Sequence, residues 1–161
     1  DRKLNKRCGD LKAPERNISW VLQCSWLSGI KMAGLADSRV TAVVAVSPPL
    51  RLLFEPSSAD RLEAKLLLVS GSRDWVVSSG PEAIRPMSET GAAEKGHRLV
   101  LVDGADHFSL RSFRGEAQPA LMGPLMLGWL NEQLEVPGSP RFSQGGWGDQ
   151  QIQMVDVSER L

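Results

Sequence analysis

Three runs of consecutive apolar residues stand out along the chain. They are Val40 to Ser47 (Val-Thr-Ala-Val-Val-Ala-Val-Ser), Lys65 to Ser70 (Lys-Leu-Leu-Leu-Val-Ser) and Arg98 to Val102 (Arg-Leu-Val-Leu-Val). None alternates cleanly between apolar and polar. That predicts strands covered on both faces, as in a parallel sheet. Pro48-Pro49, Gly71 and Asp103-Gly104 punctuate their ends. Ile18 to Gln23 is a shorter β-prone run and predicts a weaker strand.

Between the runs, apolar residues recur at helical spacing. Trp26 to Ala36 carries Leu27, Ile30, Met32 and Leu35, although Gly29 and Gly34 weaken it as a helix. Pro81 to Glu94 starts with a proline where a helix tolerates one, while Pro86 must kink or break it. Ala120 to Leu134 presents Leu121, Leu125, Leu127, Trp129, Leu130 and Leu134, and Pro137-Gly138 stops it.

Strands alternating with helices predict βαβ units. The expected class is α/β, with a small, mainly parallel sheet and flanking helices. Residues 1–16 are polar and basic and read as a mobile arm. Residues 17–136 form the domain. Residues 137–161 form a Gly-, Gln- and Ser-rich tail with Phe142 and Trp147 as anchors.

Composition removes several classes of function. Of 161 residues, 19 are Lys or Arg and 19 are Asp or Glu, so the formal net charge is zero. No basic stripe marks a nucleic-acid surface, so no nucleic-acid partner is expected. No apolar run reaches the ~18 residues of a membrane span. The N-terminal Asp1 to Arg7 has no apolar stretch behind it and is not a secretory signal, which favours a cytoplasmic protein. Cys8 and Cys24 can pair but make no disulfide framework and no CxxC motif. His97 and His107 lack metal-ligand spacing, so neither a metal nor a cofactor is expected.

In open parallel sheets the ligand site lies beyond the carboxyl ends of the strands. Gly71-Ser72-Arg73-Asp74 follows the second strong run, and Gly104-Ala105-Asp106-His107-Phe108 follows the third. A carboxylate past one strand and a histidine past the next can meet above the sheet. Asp74 then holds the His107 imidazole in one tautomer, as a general base requires. The plainer readings are a turn or helix-cap role for Asp74 and a structural role for His107. Asp106 is a rival acid but reads as a turn residue, and His97, just before a strand, reads as a surface residue.

These two motifs resemble the acid loop and the histidine loop of the α/β-hydrolases. The closest resemblance is to dienelactone-hydrolase-like esterases. It runs from about Ala36 to Leu161, including Ala42 to Pro48 and the Trp129-Leu130 helix. It implies a truncated α/β-hydrolase fold and a catalytic triad in the order nucleophile, acid, histidine.

The nucleophile is where the chain departs from that family. No Gly-x-Ser-x-Gly elbow exists. Laid on the elbow, Gln23-Cys24-Ser25-Trp26-Leu27 puts Ser25 in the nucleophile place and replaces both glycines. Cys24 is a second candidate, because the dienelactone hydrolases use a cysteine. Ser28, beside Gly29, is a third. The strands that precede the elbow in the family are absent from this chain, which leaves a sheet edge open and favours a homo-oligomer.

The expected function is hydrolysis of a small-molecule ester or lactone, acyl-homoserine lactones included, by Ser25, His107 and Asp74. The alternative is a non-catalytic remnant of the scaffold acting as a binding or oligomerisation module. A flavodoxin-like or nucleotide-binding domain is disfavoured, because no glycine-rich phosphate loop follows any strand.

Overall fold

The three strong apolar runs become three neighbouring parallel strands. In a computed structural model, which describes residues 2–14, 16–27, 37–54, 61–111, 122–145, 147 and 153–161, they are β1 (Ala42–Val46), β2 (Lys65–Gly71) and β3 (Arg98–Val102). β1 pairs with β2 and β2 with β3, both in parallel. A fourth strand, β4 (Met154–Asp156), adds antiparallel to β3, so the sheet is mixed, in the order β1-β2-β3-β4. The fold class is α/β, a small sheet with flanking helices.

Both faces of the sheet are packed. Leu67, Val69, Val100 and Val102 point to one side, where Leu125 and Trp129 of α5 (Gly123–Gln133) cover them. Leu68 and Leu99 point to the other, against Ala83, Met87 and Ala92. Ala83 and Met87 belong to α4, which starts as a π turn over Gly80–Ile84 and continues as α-helix over Arg85–Glu89. The wide turn has a cause in the sequence. Pro86 has no N–H to donate four residues back, and its ring crowds the carbonyl there. The Arg85 amide instead reaches Gly80 O, five residues back, and the helix absorbs the proline as a π-bulge.

Four expectations are corrected. Ile18 to Gln23 is helix, not strand: α2 spans Ile18–Leu27. Asn17 Oδ1 accepts the Trp20 amide at 3.1 Å and caps it. Ser19 and Trp20 are buried while Val21 and Leu22 are exposed, a pattern that a strand's period of two cannot give. Residues 2–9 are not a loose arm but α1 (Arg2–Gly9). Arg7 Nη1 donates to Leu52 O at 3.1 Å and Phe54 O at 2.9 Å, around the short α3 (Leu50–Leu53). A disulfide joins Cys8 to Cys24 and so α1 to α2. β1 is half-buried along its length rather than covered on both faces, because among the described residues it has one neighbouring strand, β2. The tail supplies β4 as well as its aromatic anchors. Phe142 packs edge-on against Trp129 at 5.3 Å and stacks on Trp147 at 4.5 Å. Of the helix expected over residues 26–36, residues 28–36 lie outside the described residues, as do residues 120 and 121 of the last helix.

Candidate active site

The loops after β2 and β3 are laced together. The Ser72 amide donates to Val102 O and the Arg73 amide to Ala105 O, each at 3.0 Å. Ser72 Oγ donates to Asp103 Oδ1 at 3.0 Å and accepts the Gly104 amide at 2.8 Å. Gly71 makes this approach possible. A Cβ there would stand 2.3 Å from Ala105 O, which no side chain tolerates. Gly104, at φ +69°, turns the chain out of β3.

This lacing brings two of the expected site residues together. His107 Nδ1 lies 2.9 Å from Asp74 Oδ2. The Asp74 side chain is fully buried and that of His107 is 11% exposed. Asp74 Oδ1 accepts the amides of Val76 at 2.9 Å and Val77 at 2.8 Å. Both carboxylate oxygens therefore have partners, as a buried charge needs. A carboxylate accepts from Nδ1–H, which leaves Nε2 as the basic nitrogen. Nε2 has no hydrogen-bond partner among the described residues.

The nucleophile candidates stand differently. Ser25 is exposed within α2, and its Oγ donates to Leu22 O at 2.7 Å, one helical turn back. Among the described residues no strand leads into it: it sits inside a helix and not on an elbow. Cys24 is in the disulfide and is not a free thiol. Ser28 lies outside the described residues. Asp106 is a turn residue: its Oδ1 accepts the Phe108 amide at 3.0 Å and the Ser109 amide at 2.7 Å. Those bonds, Ser109's first, hold its carboxyl below the usual range. His97 is a further correction, being buried rather than on the surface. Its Nδ1 accepts the Leu66 amide at 3.1 Å. Burial, then the Lys65 and Lys95 charges, push its pKa down.

Family models, curated proteins and solved structures contain no match to this chain. The reading of the site therefore rests on its own geometry.

Two polar residues were missed by the sequence reading. Glu82 is buried at the start of α4. It accepts hydrogen bonds from Asn17 Nδ2 at 2.7 Å, from the Trp20 indole, and from the Arg51 amide at 2.9 Å. Burial raises its pKa against the pull of those donors. It fastens α2 and α3 to α4. Ser47 follows β1 in the left-handed region at φ +44°, with its hydroxyl buried and without a hydrogen-bond partner among the described residues. Glu82 occupies an ordinary helical position and gave no signal. Ser47 stands before Pro48-Pro49, a turn signal that carries no information on its hydroxyl. Among the described residues no group of three His, Cys, Asp or Glu side chains is arranged to hold a metal.

Proposed function

We propose that the chain hydrolyses carboxylic esters or lactones, with His107 as general base and Asp74 as its orienting acid, on a truncated α/β-hydrolase fold. The observation that carries this reading is the 2.9 Å contact between a buried, doubly anchored Asp74 and His107. Its support from the fold is the placement of acid and base after adjacent parallel strands β2 and β3. In the reaction, Ser25 Oγ attacks the carbonyl carbon while His107 Nε2 takes its proton. The tetrahedral intermediate collapses, and the leaving alkoxide receives that proton from His107. Water, deprotonated by His107, then attacks the acyl-enzyme; the bond to Ser25 Oγ breaks, Ser25 takes that proton from His107, and the acid is released. Nothing in these steps calls for a cofactor or metal. Incubation of the purified chain with a serine-reactive organophosphonate, followed by mapping of the adduct, tests the reading. An adduct on Ser25 supports it; full resistance to the reagent together with no ester turnover removes it.

A second reading is a non-catalytic scaffold used for binding. The observation in its favour is Ser25 itself, helical and hydrogen-bonded to Leu22 O. Either reading accommodates a homo-oligomer, because the outer edge of β1 pairs with no strand among the described residues. Sedimentation at micromolar concentration is expected to show a dimer or larger; a stable monomer removes that element.

A further inference from the structure

Trp75 directly follows Asp74, and Phe108 directly follows His107. Asp74 and Val76 are buried, as are His107 and Leu110, while Trp75 is 60% exposed and Phe108 63% exposed. The buried neighbours hold each loop in place, and the rings project from it into solvent. They lie together, with centroids 6.2 Å apart and planes at 51°. Phe108 also meets the His107 imidazole edge-on, at 5.9 Å and 89°. An aromatic surface thus runs from solvent up to the base.

Paired large rings held in water are unusual unless something covers them. Two rings are far too small for a protein interface, which buries about 800 Å² on each side. They match one flat ring, which would lie offset or edge-on against them. We propose that Trp75 and Phe108 form the subsite for the aromatic part of the substrate, so that the preferred substrates are esters carrying an aromatic ring beside the scissile bond. The proposal rests on the hydrolase reading and deepens it.

Benzyl acetate and n-butyl acetate make a suitable pair, being acetates of primary alcohols of similar acidity, one with an aromatic ring and one without. Trp75→Ala and Phe108→Ala should each raise KM for benzyl acetate about two- to tenfold. For n-butyl acetate KM should hardly move. Equal changes for both esters, or none, would overturn the proposal. Saturation-transfer NMR with benzyl alcohol on the wild-type chain needs no turnover. Saturation of its ring, lost in the double variant, supports the subsite even if no ester is hydrolysed, and that second result would count against the hydrolase reading alone. Turnover of n-butyl acetate with no saturation of the ring and no preference for benzyl acetate would leave the hydrolase standing and sink the subsite.

Discussion

Asp74 uses its two oxygens for two tasks: Oδ2 faces His107 Nδ1 at 2.9 Å, and Oδ1 accepts the amides of Val76 and Val77. Asp74→Asn separates them. The asparagine carbonyl can keep both amides, so the loop should remain folded. Its NH2 would then face Nδ1 and force the proton onto Nε2, which removes the base. Ester hydrolysis should fall by about 10⁴-fold in Asp74→Asn, and as far in His107→Ala, with Tm little changed in the former. His97→Ala should lose stability and not the dyad, because His97 accepts the Leu66 amide elsewhere. Full activity in Asp74→Asn would show that the pair is structural.

Gly71 controls the distance across that pair. A methyl group there would meet the Ala105 carbonyl at 2.3 Å, and backbone cannot rotate away as a side chain can. Gly71→Ala should therefore cost about 1–3 kcal/mol and push the two loops apart. Activity should fall further than stability, since small displacements of a base are costly. An unchanged melting temperature with unchanged turnover would mean that the loops can shift without effect.

The sheet and the dyad were legible because both depend on short, local signals. Continuous apolar runs ended by glycine or proline marked β1, β2 and β3 to within two residues. Polar residues just beyond two of them marked Asp74 and His107. What was not legible depends on partners distant in sequence. Ile18 to Gln23 has β-prone composition, but Asn17 caps it and Glu82, from another helix, anchors Trp20. β4 is three residues long and polar in its surroundings, and only β3 gives it a reason to be a strand. His97 is buried by what packs over the start of β3, which no local pattern shows.

Glu82 should give the protein a distinctive pH dependence. Its folded pKa is raised above the ordinary value of 4.5, chiefly by burial. A group of that sign adds stability while protonated, and the contribution is lost as pH rises through the folded pKa. The stability of the wild type relative to Glu82→Gln should therefore decline from about pH 4.5 upward. Glutamine also turns an N–H toward the Arg51 amide, where Oε2 now accepts, so the variant should be weaker by about 1–3 kcal/mol in acid. Thermal melts across the acid range would decide; a difference that grows with pH contradicts the assignment.

The Cys8–Cys24 bond spans 16 positions. A loop of that size contributes about 3 kcal/mol, largely by restricting the unfolded chain. Reduction, or Cys8→Ser, should lower stability by about that amount and release α1 first, since the bonds from Arg7 to the carbonyls of Leu52 and Phe54 are then left to hold it against α3. Alkylation of the unfolded, unreduced chain should modify neither cysteine, and after reduction both. Such a bond persists in an oxidising compartment and not in a reducing one. Two reactive thiols in the unreduced protein would dispose of this account.

Ser25 is the weakest member of the proposed triad, and its surroundings say how it should fail or work. Its hydroxyl donates to Leu22 O at 2.7 Å, so it must give up that bond before it can donate to His107 Nε2. A helical serine also lacks the backbone amides that an elbow aims at the oxyanion, and loss of one such donor typically lowers kcat by about 10²–10³-fold. Slow turnover is therefore expected even with the dyad intact. α2 is tied to the acid loop through the Ser19 amide, which donates to Val76 O at 3.3 Å, so the helix and the dyad belong to one connected frame. If Ser25 attacks, Ser25→Ala should abolish hydrolysis of activated esters, while Cys24→Ser should retain activity at a lower melting temperature and Ser28→Ala should change little. If Ser25→Ala keeps its rate while His107→Ala loses it, His107 activates water directly and the covalent step is absent. If neither substitution changes a background rate, the scaffold is non-catalytic and the binding reading takes over.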